Sequence, residues 1–269
     1  MPITMRPLAE LPRAELARLR GLLTDIDDTL VDHGAITADA LAALQSLAAA
    51  NIPVIAITGR PAGWSEPFAR AWPVRAIVAE NGGVLLRHDE AGALVREFTA
   101  GAAERKARSA RLRACADDIA ARIPQATLAR DSPGRLTDIA IDHSEFARLD
   151  AATIERVAAV MREHGLTATV SSIHINGWIG EHSKWTAAQW AVRRCLGMAF
   201  DAAEWLYLGD STNDALMFAR MPLSVAVANV RRCLPQLTAL PGYVTAAERG
   251  AGFAELAAAW LAARASRTA

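Results

Sequence analysis

The stretch Leu22-Leu23-Thr24-Asp25-Ile26-Asp27-Asp28-Thr29 runs a short apolar segment directly into a cluster of carboxylates. A brief apolar run that stops at polar residues reads as a buried strand. Side chains along a strand repeat every second residue, so at its end Asp25 and Asp27 point the same way. Crowded carboxylates repel unless one is protonated or a cation sits between them. The pair suits a nucleophile, Asp25, beside an acid/base, Asp27. By itself it equally suits a solvated strand end or a helix cap.

The same arrangement recurs along the chain. Val54-Ile55-Ala56-Ile57 stops at Thr58-Gly59-Arg60, a run over 76–79 ends at Asn81-Gly82-Gly83, and one over 205–208 ends at Gly209-Asp210-Ser211-Thr212-Asn213-Asp214. Helical patterns alternate with these runs. Thr37 can cap a helix with Leu41, Leu44 and Leu47 on one face, and a helix from about Lys184 to Leu196 is closed by Gly197. Further strands are expected at 224–227 and 243–245, with a last helix rich in Ala and Leu. Alternation of this kind predicts an α/β fold with a doubly wound parallel sheet, whose ligands bind at the carboxyl ends of the strands.

Between these units the pattern changes. Alternating runs at 84–88 and 94–98 flank Glu90-Ala91-Gly92 and predict a hairpin; a charged helix follows over 103–121. A strand is expected over 136–141, then a helix capped by Asp150 with Ile154, Val157, Ala158 and Met161 on one face, and a second hairpin over 167–179. The domain division expected is a core of residues 1–83 and 182–269 with an inserted α+β cap at 84–181.

Each polar cluster has a chemical and a plain reading. Thr58-Gly59-Arg60 offers a hydroxyl, an open backbone amide and a cation to phosphoryl oxygens, or Thr58 simply caps the next helix. Apart from Lys106, Lys184 is the only lysine in a chain that otherwise uses arginine. That suggests a need for a compact ammonium, although a surface lysine reads the same way. Asp210 and Asp214 add oxygen ligands for a hard cation, or belong to an ordinary polar turn.

Composition narrows the classes. The 269 residues are 52% hydrophobic and 22% charged, and 29 basic residues balance 29 acidic ones. No net field draws nucleic acid or an anionic membrane. The three cysteines, Cys115, Cys195 and Cys233, have no metal or redox spacing and read as reduced core residues. The first twenty residues lack the apolar stretch of a signal peptide, and no run has membrane-spanning length, so a cytoplasmic location is expected.

Taken in order, DxDxT, a Thr before Gly-Arg, a Lys and GDxxND, the four clusters resemble the haloacid dehalogenase superfamily. The Asn81-Gly82-Gly83 turn, the place of the insert and the VAVAN segment at 225–229 are similar to subfamily IIB, the subgroup with a large α/β cap. That subgroup includes sucrose, trehalose and mannosylglycerate phosphatases, Cof-type sugar phosphatases and eukaryotic phosphomannomutase. The resemblance covers the core; the cap fits only in coarse pattern.

The resemblance implies a Mg²⁺-dependent phosphatase acting on a small phosphorylated metabolite, a sugar phosphate among the candidates. Asp25 would attack phosphorus and Asp27 would act as acid and base. Thr58, Gly59, Arg60, Lys184 and Asn213 would bind substrate. Mg²⁺ would sit on Asp25, the Asp27 carbonyl and Asp210, with Asp214 supporting or ligating. Two positions depart from the family pattern: Asp28 stands where many relatives have Gly, and Trp185 follows the Lys where Gly is frequent. A phosphomutase is the nearest rival, and a non-catalytic phospho-ligand-binding protein a more distant one. A receiver-type signalling domain is disfavoured by motif order and length. Arg135, His174, Asn176, Trp178 and His182 are cap-side candidates for sugar contact or, equally, packed structural residues. The oligomeric state is not legible.

Overall fold

The computed structural model describes residues 5–268. A short strand β1 (Arg6–Pro7) and helix α1 (Arg13–Arg18) precede β2 (Gly21–Thr24), the strand that ends at Asp25. A small hairpin follows, β3 (Val31–Asp32) and β4 (Ala35–Ile36); its turn residues His33 and Gly34 both have positive φ, 48° and 79°, as a tight two-residue turn requires. Thr37 caps α2 (Ala38–Ala49), accepting from the Ala40 amide. Then come β5 (Val54–Ile57), α3 (Ala62–Ala71), β6 (Ala76–Ala79), and the hairpin β7 (Val84–His88) and β8 (Leu94–Phe98).

The middle of the chain forms α4 (Ala102–Arg122), β9 (Asp138–Asp142), α5 (Ala151–Glu163), β10 (Thr167–Val170) and β11 (His174–Trp178). The frame resumes with α6 (Lys184–Leu196), β12 (Trp205–Gly209), α7 (Ala215–Arg220), β13 (Ser224–Ala226), β14 (Tyr243–Val244) and α8 (Arg249–Thr268). Asp150 and Gly197 cap α5 and α6 as expected, Gly197 in the left-handed region at φ 65°.

The large sheet has nine strands in the order β1-β14-β13-β12-β2-β5-β6-β7-β8. It is parallel from β1 to β6, and each interior strand is apolar on both faces because helices cover both. In β12, Leu206 and Leu208 enter the core beneath α2 and α8, while Trp205 and Tyr207 enter the one beneath α6 and α7. From β2 the chain proceeds through β5 and β6 to one side, and from β12 through β13 and β14 to the other. The strand order therefore reverses between β12 and β2, the place where open α/β sheets bind ligands.

The hairpin of β7 and β8 corrects the expected extent of the insert. Val84 to His88 pairs antiparallel with β6 and continues the core sheet, so the segment 84–98 is core. The separate unit is the three-stranded antiparallel sheet β10-β11-β9 with α4 and α5. Its strands alternate cleanly: Ile139, Ile141 and Ile175 pack with Val157 and Met161, and the register puts Thr169, Asn176 and Ala140 together on the opposite face. The third predicted strand also begins later than expected, at Asp138. Among the described residues, no helix is long and apolar enough to cross a membrane.

Candidate active site

The ends of β2 and β12 are stitched together where the order reverses, the Asp25 amide donating to the Leu208 carbonyl at 2.9 Å. Asp25 follows β2 and Asp210 follows β12, both 3% exposed. With Asp214 they bring three carboxylate oxygens within 4.8 Å of one another. Burial pushes Asp25 up to about 7, against the pull of Lys184 and reinforced by Asp214 and Asp27. Burial and the neighbouring aspartates Asp214, Asp25 and Asp28 raise Asp210 well above the usual carboxylate range.

One cation answers this cluster from α6. Lys184 Nζ donates to Asp25 Oδ1 at 2.8 Å and Asp214 Oδ1 at 2.6 Å. Burial opposes its charge, but the two aspartates more than compensate and raise its pKa above that of an ordinary lysine. Asp214 is fully engaged: Tyr207 Oη also donates to its Oδ1, and the Asp210 and Ser211 amides donate to Oδ2 at 2.8 and 3.1 Å. It holds the Asp210 turn and Lys184 in place. Asp210, by contrast, keeps Oδ1 buried with no partner, while Oδ2 accepts from Asn229 Nδ2 at 3.1 Å. A buried, all-oxygen donor set with an unused lone pair fits a hard divalent cation. Asn229 also donates to the Asp28 carbonyl at 3.0 Å and accepts from the Arg249 amide, so it ties the two metal-competent loops together.

The Asp27 carboxylate stands outside this cluster. Its Oδ1 accepts from Arg60 Nε at 2.9 Å, and Thr58 Oγ1 lies 3.4 Å from its Oδ2. Arg60 runs on into the cap, donating to Asp131 at 3.2 Å and to both Glu145 oxygens at 3.2 and 2.8 Å. His174 Nε2 is 3.0 Å from Glu145. Burial works against the Arg60 charge, yet Asp27 and Glu145 raise its pKa above the ordinary arginine value. Arg135 Nη1 and Asn176 Nδ2 also reach from the cap to the Gly59 carbonyl, at 2.9 and 3.3 Å, and Thr212 Oγ1 donates to Val170 O at 2.6 Å. The cap is closed. The cavity left beside Asp25 and Asp27 is about 10 Å³, room for one water.

Of the residues expected from the sequence, Asp25, Asp210, Asp214 and Lys184 converge. Asp27, Thr58, Gly59 and Asn213 line or adjoin the same cavity. Arg60, expected to hold a phosphoryl group, is paired in this structure with three carboxylates, two of them on cap loops that its own strand cannot foretell. The Asp27 side chain lies outside the carboxylate cluster, in keeping with the expectation that its backbone carbonyl, not its carboxylate, faces the metal. Trp185 turns away from the cavity and packs edge-on against Phe200, with Arg220 over its ring. Asp28 occupies the left-handed region at φ 52°, the conformation that explains why glycine suits this position. Only Cys115 is fully buried; Cys195 and Cys233 are half-buried. Tyr207, Asn229, Asp131 and Glu145 went unread as site residues. The VAVAN segment pointed at Asn229, but Tyr207 is hidden in an apolar strand.

A doubly wound α/β core carries a separate α+β cap, and the carboxylate cluster lies where the order of the core strands reverses. Residues 22–106 match the family model described as haloacid dehalogenase-like hydrolase. A Thermoplasma acidophilum protein superposes with a TM-score of 0.68 at 17% identity, covering 90% of this chain and 98% of its own. Sucrose-phosphatase from Synechocystis, solved with sucrose and phosphate, gives 0.62 at 18% identity, with 90% and 98% covered. The C-terminal domain of Candida albicans trehalose-6-phosphate phosphatase gives 0.65 at 15% identity, with 96% and 99% covered. At these identities the likeness is one of fold. No curated protein matches the sequence.

Proposed function

We propose that the protein is a Mg²⁺-dependent phosphatase that hydrolyses a small phosphomonoester, a sugar phosphate, through an aspartyl phosphate on Asp25. The observation that carries this reading is the buried Asp25–Lys184–Asp214 arrangement beside Asp210, whose free Oδ1 calls for a cation. The sucrose- and trehalose-phosphatase names of the fold neighbours support the substrate class.

Asp25 and Asp210 would hold Mg²⁺, with the Asp27 carbonyl as a further ligand, and the ion would neutralise phosphoryl charge so that the anionic nucleophile can approach. An Asp25 oxygen attacks phosphorus, the bond from phosphorus to the ester oxygen breaks, and Asp27 gives that oxygen a proton. Asp27 then takes a proton from water, which attacks phosphorus, releases inorganic phosphate and restores Asp25. Lys184 and the Thr58 hydroxyl steady the phosphoryl oxygens. A cavity of about 10 Å³ admits no phosphate, so the cap opens for entry and release.

A screen for phosphate release from sugar phosphates, nucleotides and aryl phosphates, with Mg²⁺ and with chelator, tests the reading. Release should need the metal, and Asp25→Asn should lose at least about a thousandfold in kcat, as nucleophile losses do. A folded Asp25→Asn protein keeping a tenth of the rate would refute covalent catalysis there. Interconversion of phosphate positions without net release would favour a mutase.

A further inference from the structure

Two residues beside the metal-competent loops stand where local structure disfavours them. Asp28 follows Asp27 in the left-handed region at φ 52°, a conformation that a residue with a Cβ adopts only with strain. Arg249 is the first residue of α8 and is also left-handed, at φ 51°. A helix N-terminus carries partial positive charge, so the helix itself opposes a cation there, and no acidic residue in the first turn of α8 offsets it.

Each residue explains the other. Arg249 Nε lies 3.0 Å from Asp28 Oδ1, and its Nη1 lies 2.7 Å from Asp32 Oδ1. One guanidinium thus holds two carboxylates of the segment that runs from Asp27 into β3. The three side chains are between 23% and 39% exposed, and ion pairs this open to solvent contribute little stability. Their effect is one of place: they decide where the Asp28 carboxylate stands.

That place adjoins the metal-competent oxygens. Asn229 Nδ2 donates both to the Asp28 carbonyl at 3.0 Å and to Asp210 Oδ2 at 3.1 Å, so the Asp28 main chain and the Asp210 carboxylate meet at one atom. The Asp28 charge is near enough to help raise Asp210. Yet its carboxylate is not among the three, those of Asp25, Asp210 and Asp214, whose oxygens come within 4.8 Å of one another. The Arg249 amide donates to Asn229 Oδ1 at 3.0 Å, so the residue that holds the Asp28 side chain also holds its main chain through Asn229.

We propose that Arg249 is a positioning residue for the metal site: it holds the Asp28 carboxylate out of the coordination shell and thereby keeps the site selective for Mg²⁺ over Ca²⁺. Ca²⁺ takes about 6–8 oxygen ligands in a loose shell and gains from added carboxylates, whereas Mg²⁺ demands a regular octahedron and gives up its waters reluctantly. A freed Asp28 is therefore worth more to Ca²⁺. The inference rests on the metal site of the phosphatase reading, and its test reads cation binding rather than turnover.

Calorimetric titration of the full chain with MgCl₂ and with CaCl₂ gives both affinities. Arg249→Met removes the guanidinium and keeps the backbone amide that Asn229 uses. Ca²⁺ should then bind about tenfold tighter, while the Mg²⁺ affinity stays within about threefold of the wild type, since ligand charge count tunes Ca²⁺ sites over decades. Adding Asp28→Gly to Arg249→Met should return the Ca²⁺ to Mg²⁺ affinity ratio to its wild-type value, and Asp28→Gly alone should leave it there. An unchanged ratio in Arg249→Met, equal gains for both ions included, would overturn the proposal. So would a raised ratio that survives in the double variant, because another oxygen would then have entered the shell. If neither ion binds the wild type, the metal falls from the phosphatase reading as well, an outcome distinct from an unchanged ratio. Should Arg249→Met lose its circular dichroism, Arg249→Gln, which also lacks the charge, decides by the same ratio.

Discussion

Arg60 and Glu145, 85 positions apart, share two hydrogen bonds that join the catalytic strand ends to the cap, while the other edge of the same guanidinium holds Asp27. The cation that the sequence offers to substrate is thus the clasp of the closed state. Any opening of the cap has to break the Arg60–Glu145 bonds, which lie beside the cavity next to Asp25.

Glu145→Gln should loosen this clasp. Removing one charge from a buried pair costs several kcal/mol when water stays out, but Glu145 is partly open to solvent and Asp27 and Asp131 remain on Arg60. A loss of about 1–2 kcal/mol in closure should speed amide exchange in β10 and β11 roughly tenfold, with the core sheet unaffected. Unaltered exchange in those strands would mean that other contacts hold the cap.

Acid should act on the same bridge. Burial would raise the Glu145 carboxyl, yet the hydrogen bonds from His174 and Arg60 hold it down at about 2, below its ordinary 4.5. A depressed carboxyl contributes stability that is complete above about pH 4.5 and fades as the pH falls toward 2. The Tm gap between the wild type and Glu145→Gln should therefore be constant from pH 7 to 5, narrow progressively below 4.5 and vanish only near pH 2. A gap as wide at pH 3 as at pH 6 would contradict this.

Mg²⁺ should raise Tm by mass action, and Asn229→Leu should weaken that response. Asn229 would not itself hold the metal, but it donates to Asp210 Oδ2 and the Asp28 carbonyl, and such outer partners are worth about 10–100-fold in metal affinity. Thermal melts against Mg²⁺ concentration give the affinity without any substrate. An identical midpoint in the variant would remove Asn229 from the metal argument, and no Mg²⁺ response in the wild type would remove the metal.

Gly82→Ala should destabilise the protein by about 2–4 kcal/mol, because strain and collision add. Gly82 sits at φ 115°, and a Cβ there would lie 2.9 Å from the carbonyl oxygen of Ser183, the residue that caps α6. Since Lys184 is the next residue, turnover should drop as well. Urea unfolding with a shift under about 0.5 kcal/mol would show that this turn yields more easily than its geometry says.

Strand ends, helix caps and the four polar clusters were legible in the sequence because their causes are local: period two or 3.6, a capping hydroxyl, a glycine at positive φ. Asp25, Thr58, Lys184 and Asp210 each lie at the end or start of such an element, so reading the element also located the residue. The partners of long side chains were not legible. Arg60 could have met a phosphate or a carboxylate, and only the folding of two cap loops over β5 put Asp131 and Glu145 within its reach. The hairpin at 84–98 alternates in the same way whether it edges a small sheet or a large one. Pairing with β6 decided it, through backbone hydrogen bonds that carry no side-chain signature. Thr169 reads as an ordinary strand threonine until the core closes over it and leaves its hydroxyl without a partner.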